Sequence, residues 1–135
     1  EEYTPYRGFI PKFIYHSLTG RPYTVYKGHK RIIDYVEDTC RTFANITENF
    51  ISGRAYNVGS KPEWEMDIKS YSDIVLDAVG IDDSIVSYEE QEPHTTKIKT
   101  MDFSKAINEL DHNPLVSPEE GIKKTVEWMR KKYSL

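Results

Sequence analysis

Three stretches of this chain carry apolar residues at helical spacing, and each is punctuated by proline, glycine or a capping residue. That punctuation limits the chain to a helix-rich fold. Pro11 reads as the first position of a helix that runs to Leu18 and stops at Gly20, with Phe13, Ile14 and Leu18 toward the core. Ile68, Tyr71, Val75 and Val79 repeat on one helix face from Asp67, and Gly80 is the stop. Ser117-Pro118-Glu119-Glu120 sets a cap, a proline and two acids in order, which starts a helix that carries Ile122, Val126 and Met129 on one side. Between them, Glu37 to Phe50 reads as a helix with an acidic first turn and an apolar side of Cys40, Phe43, Ala44 and Phe50. A shorter helix runs from Asp102 to near Asp111.

The remaining segments read as short strands and loops. Tyr23–Tyr26, Ile32–Val36, Ala55–Val58 and Ser84–Tyr88 are strand candidates, and the polar run from Glu89 to Thr100 is a loop. The expectation is a single α+β domain over residues 1–135. An aromatic content of 13% supplies ring area for a modest core despite low overall hydropathy.

Charge and cysteine count exclude several classes. Net charge is −4, which argues against nucleic-acid binding. No run approaches the roughly 18 apolar residues of a membrane span, and no secretion signal is visible. One cysteine, Cys40, rules out an internal disulfide and fits a reducing cytoplasm; its place on the apolar helix side makes it a small core residue. The four histidines show no ligand spacing, so no metal site is expected. Charge is nonetheless uneven. Arg7, Lys12, Arg21, Lys27, Lys30 and Arg31 outweigh the acids of the first 35 residues, a region a small anion would prefer.

Catalytic motifs fare poorly. Tyr23-Thr24-Val25-Tyr26-Lys27 satisfies the pattern Tyr-x-x-x-Lys, but that pair works only where residues four apart share a helix face. On a strand they stand roughly 13 Å apart. No glycine-rich dinucleotide loop or phosphate loop is present, and no catalytic residue can be named.

Three stretches taken in order carry a resemblance. The first is Gly8-Phe9-Ile10-Pro11-Lys12-Phe13-Ile14 with Gly20-Arg21-Pro22-Tyr23-Thr24-Val25-Tyr26-Lys27-Gly28. The second is Asp34-Tyr35-Val36-Glu37-Asp38-Thr39 with Arg54-Ala55-Tyr56-Asn57-Val58-Gly59-Ser60. The third is Asp102-Phe103-Ser104-Lys105-Ala106 with Asn113-Pro114 and Ser117-Pro118-Glu119-Glu120-Gly121-Ile122, ending in Thr125-Val126-Glu127-Trp128. Together they resemble the C-terminal part of the NAD-dependent nucleotide-sugar epimerase/dehydratase family, the extended short-chain dehydrogenases.

The resemblance implies a small, helix-rich substrate-binding domain with short strands, from which the Rossmann domain is absent. NAD and the proton-transfer groups would belong to that missing Rossmann domain, a partner of this chain; none is expected here. A start at Glu1 without methionine fits a piece of a longer protein. The implied ligand is a nucleoside-diphosphate sugar. Phe9, Ile10 and Pro11 fall where the family lays backbone and apolar atoms against the nucleotide, and Tyr26 where a ring packs near the base. The family's arginine before the Asp-Tyr pair is Ile33 here, with Arg31 two residues earlier on the same strand face. A second family arginine, before the late-loop proline, is Glu92. Lys97 fills a further basic position, with His94 nearby. The expectation is a diphosphate held by Arg31 and Lys97, with Tyr26 at the base. The alternative is a non-catalytic module that self-associates as a homo-oligomer through its former interdomain surface.

Overall fold

The computed structural model describes residues 2–6 and 8–135. Its helices are α1 (Phe9–Thr19), α2 (Val36–Asn49), α3 (Ile68–Val79), α4 (Ser104–Leu110) and α5 (Pro118–Tyr133). Its strands are short: β1 (Tyr23–Tyr26), β2 (Lys30–Arg31), β3 (Met66–Asp67) and β4 (Val86–Glu89). The expected α+β, helix-rich architecture is what forms.

Local chemistry explains the helix ends. Gly20 and Gly80 close α1 and α3 in the left-handed region, at φ 67° and 86°. Asp67 caps α3 by accepting from Ser70 N–H, and Ser117 caps α5 by accepting from Glu120 N–H. Helix α1 starts at Phe9, two residues before the expected Pro11. The missing proline N–H costs nothing there, because first-turn donors have no helical acceptor.

Strands β1 and β4 pair in parallel, Tyr23 opposite Val86 and Tyr26 opposite Glu89. Strands β2 and β3 pair antiparallel, Lys30 opposite Asp67. Lys30 also bridges Ile98, so the loop after β4 lies beside β2. The core lies where α1, α3 and α5 meet β1. It holds Phe13, Ile14, Tyr23, Val25, Tyr71, Val75, Ile122, Val126 and Met129. Phe13 stacks on Tyr23 at 4.4 Å, and Phe9 meets the Tyr71 ring edge-on at 5.5 Å.

Tyr71 is fully buried, and its hydroxyl donates to Arg31 O (3.1 Å) and Trp64 O (3.3 Å). Burial pushes its phenol up to about 12 from the ordinary 10.0. A raised native pKa means this stabilisation is complete below pH 10 and is lost as pH climbs to 12, because the unfolded chain releases the proton first. Two pH units correspond to about 3 kcal/mol. Tyr71→Phe should therefore flatten the alkaline decline of the urea-unfolding free energy over that window. A decline parallel to that of the parent chain would contradict this.

Helix α2 departs from its expected orientation. Its buried residues are Asp38 and Thr42, while Val36, Cys40, Phe43 and Phe50 are exposed. Cys40 is therefore not a core residue. Polar contacts decide the facing. Asp38 accepts from Leu115 N–H and Val116 N–H at 3.1 Å each, and pairs with Arg41. Thr42 Oγ1 meets His112 Nδ1 at 2.6 Å, and His112 Nε2 donates to Gly59 O at 2.5 Å. Phe103, Ala106 and Leu110 bury their side chains beside this network.

Two strand expectations also change. Ile32–Val36 contains no strand; the pairing falls on Lys30–Arg31, where β3 and Ile98 supply partners. Ala55–Val58 is irregular, since no described segment offers it a ladder.

Candidate functional site

Two cavities flank the first turn of α1 and share Gly8 and Phe9. The smaller, about 230 Å³, opens between α1 and β1. The larger, about 460 Å³, lies between α1 and the start of α5 and includes Ile10, Pro11, Asp34 and Tyr35.

The joint between them is the N-terminus of α1. Gly8 takes φ 57° there, a left-handed conformation that suits glycine, and contributes no side-chain cap. The Phe9 and Ile10 N–H groups thus start the helix without helical acceptors, at its positive end.

Strand β1 buries Tyr23 and Val25 and turns Thr24 and Tyr26 to the other face. Thr24 and Tyr26 line the smaller cavity with Phe9 and Lys12. The chain then bends at Gly28, where a Cβ would stand 2.5 Å from Glu90 O. Glycine alone allows that approach, and Gly28 N–H donates to Glu90 O at 3.1 Å. The bend delivers His29 and Arg31 to the cavity wall and sets Glu92 beside them.

His29 is buried, and its Nε2 accepts from Glu92 N–H at 3.1 Å. Accepting there puts the neutral ring's proton on Nδ1. The Tyr26 and His29 rings stand 6.1 Å apart. Partial burial, then the charges of Glu89 and Glu92, raise the Tyr26 phenol above its ordinary range. Arg31 donates to Lys30 O (2.6 Å), Lys97 O (2.9 Å) and Thr96 O (2.9 Å), which ties the loop after β4 to β2.

Phe9, Tyr26 and Arg31, from the successive elements α1, β1 and β2, thus line one cavity. Ile10 and Pro11 line the other. His94 and Lys97 are exposed on the adjoining loop and line neither; the Lys97 backbone lies against β2 and the Arg31 guanidinium. From sequence, Lys12 was read only as one of the six basic residues of the first 35, and His29 was not singled out. Lys12 had a local signal, since it sits three residues after Phe9 on the same helix face.

The Tyr-x-x-x-Lys pattern forms no proton-transfer pair. Tyr23 is buried against Ser72 Oγ at 2.9 Å, and Lys27 pairs with Glu90 at the surface. Nor do the described residues contain the strand, glycine loop and helix that hold a dinucleotide's pyrophosphate. No helix is long and apolar enough to cross a membrane.

The fold of this chain recurs in known proteins. No family model matches the chain. The dTDP-glucose 4,6-dehydratase of Salmonella typhimurium is 33% identical over 141 residues, an alignment that covers 93% of this chain and 38% of the relative. The UDP-N-acetyl-alpha-D-glucosaminuronate decarboxylase of Bacillus cytotoxicus is 29% identical, over 93% of this chain and 41% of its own length. Among solved structures, the dTDP-glucose 4,6-dehydratase DesIV of Streptomyces venezuelae, crystallised with NAD, superposes with a TM-score of 0.82 at 27% identity, over 99% of this chain and 42% of that one. The UDP-glucose 4-epimerase of Thermotoga maritima gives 0.83 at 25% identity, over 96% and 42%.

In sequence and in fold, the chain matches the C-terminal part of the NAD-dependent nucleotide-sugar epimerase/dehydratase family, the extended short-chain dehydrogenases. It spans about 40% of the length of the relatives it matches.

Proposed function

We propose that this chain is the substrate-holding portion of an NAD-dependent nucleotide-sugar dehydratase or epimerase, and that alone it turns nothing over. The observation that carries the reading is the smaller cavity. Aromatic rings (Phe9, Tyr26), cations (Lys12, Arg31) and the uncapped start of α1 meet at one opening. A nucleoside diphosphate needs those three things. Its base takes the Tyr26 ring, a contact worth about 1–3 kcal/mol. Its phosphates take the α1 N-terminus and the basic side chains. The sugar then extends past Phe9 toward the larger cavity.

Titrating a nucleoside diphosphate into the ¹⁵N-labelled chain should shift the amide resonances of Phe9, Ile10, Lys12 and Tyr26 first. Shifts confined to α2 and α4 would contradict the site. Oxidation and return of hydride would fall to a further NAD-binding portion, which supplies hydride transfer when bound. A single cysteine, which can form no internal disulfide, agrees with a cytoplasmic setting.

One observation favours a second reading, a self-associating module. Val36 and Phe43 are 62% and 59% exposed on one stripe of α2, and Phe50, just past the helix end, is 66% exposed, more apolar surface than a solvated segment keeps without reason. In the first reading the NAD-binding portion covers that stripe. In the second, another copy does. Sedimentation over a concentration series separates them. A monomer with nucleotide affinity favours the first, and a tight oligomer indifferent to nucleotides favours the second.

A further inference from the structure

We propose that His29 is a ligand-binding residue of the smaller cavity, and that its Nδ1–H donates to a phosphate oxygen of the diphosphate held there. This rests on the reading that the cavity takes a nucleoside diphosphate.

His29 lines the cavity and is 2% exposed. Both of its peptide groups are occupied inside the fold. Its N–H donates to Tyr26 O at 3.3 Å, and its carbonyl accepts from Ile68 N–H at 2.9 Å. The ring is only half occupied. Nε2 accepts from Glu92 N–H at 3.1 Å, and a backbone amide can only donate. That contact excludes a proton on Nε2, so the ring carries its one hydrogen on Nδ1. Among the described residues, nothing accepts from that nitrogen. Native interiors seldom leave a buried donor unpaired. One on a cavity wall is a donor for what the cavity holds.

The neighbours decide which acceptor it meets. Lys12 and Arg31 line the same cavity, and the uncapped start of α1 opens on it. Both features draw anionic oxygens. Arg31 supplies charge there, but its guanidinium already donates to the carbonyls of Lys30, Lys97 and Thr96. Direct hydrogen bonds to the anion therefore fall to groups with a free hydrogen, and His29 is one. A neutral N–H gains strength when its acceptor is ionised. The two arginine positions of the resemblance are Ile33 and Glu92 in this chain, so a donor from elsewhere takes over part of their task.

Two variants separate binding from support. The side-chain amide of asparagine reaches about as far as imidazole Nδ1, and that of glutamine about as far as Nε2. His29→Gln thus keeps an acceptor for the Glu92 amide and loses the donor to the ligand. His29→Asn keeps the donor and loses the support. UDP is titrated calorimetrically into the full chain and both variants, with hydrogen exchange at the Glu92 amide as the readout of support. His29→Gln should weaken UDP at least fivefold while Glu92 stays protected, and His29→Asn should expose Glu92 while UDP affinity stays within threefold. In the ¹⁵N-histidine spectrum of the parent, UDP should move the His29 Nδ1 resonance, and inorganic pyrophosphate should move it the same way. UDP affinity unchanged in His29→Gln, affinity that follows Glu92 protection across the two variants, or an Nδ1 resonance unmoved by pyrophosphate overturns the assignment and leaves the nucleotide reading intact. A parent chain that binds no UDP overturns both.

Discussion

Asp38→Ala is expected to lower the unfolding free energy by about 2–4 kcal/mol, from the loss of a buried carboxylate's hydrogen bonds. The carboxylate is 2% exposed and accepts from the Leu115 and Val116 N–H groups. Removing it strands two amides, and each buried unsatisfied donor costs about 1–3 kcal/mol. It also frees Arg41 of its partner. The loss falls on the joint between α2 and the segment that leads into α5, so both sides of the molecule register it. Asp38→Asn keeps one acceptor oxygen and should cost less than the alanine change. Urea unfolding followed by circular dichroism reads both. An unchanged midpoint for the alanine variant would mean that α2 is held by its apolar contacts after all.

The second large effect belongs to Arg31→Ala. Its guanidinium holds three carbonyls, those of Lys30, Thr96 and Lys97. Its loss should release the loop from β2 and remove a cation from the cavity. Affinity for a nucleoside diphosphate should fall at least tenfold, about 1.4 kcal/mol. Hydrogen exchange at the Lys30 amide, which donates to Lys97 O at 2.8 Å, should speed up in parallel. Arg31→Lys restores the charge without the planar fork, and should recover part of the affinity but not the protection. Affinity unchanged in the alanine variant would remove Arg31 from the site and leave it a purely structural residue.

Helix ends were legible because local chemistry sets them. Gly20, Gly80 and the Ser117-Pro118-Glu119-Glu120 start act within one turn of themselves. The facing of α2 was not legible. Its apolar stripe is the more hydrophobic side, and the usual inference buries it. Here the partners of Asp38 and Thr42 arrive from Leu115, Val116 and His112, some 70 to 78 residues away, and no local periodicity encodes them. Ala55–Val58 has the composition of a strand, yet a strand is a pairing, and no described segment pairs with it. In the cavity, Phe9 and Tyr26 were readable through the family resemblance, and Arg31 through its strand spacing from Ile33, where the family's arginine would stand. His29 was not, because burial and its bond to the Glu92 amide are tertiary facts.

The central claim is that one cavity at the start of α1 receives both halves of a nucleoside diphosphate, ring and phosphates together. The most direct test is calorimetry of the intact chain with a nucleoside diphosphate, with the same nucleoside lacking phosphates, and with inorganic pyrophosphate. The account predicts that the diphosphate binds at least tenfold tighter than either half, with an affinity that falls as salt is raised. Pyrophosphate binding as tightly as the whole nucleotide, or no heat from any of the three, would contradict it.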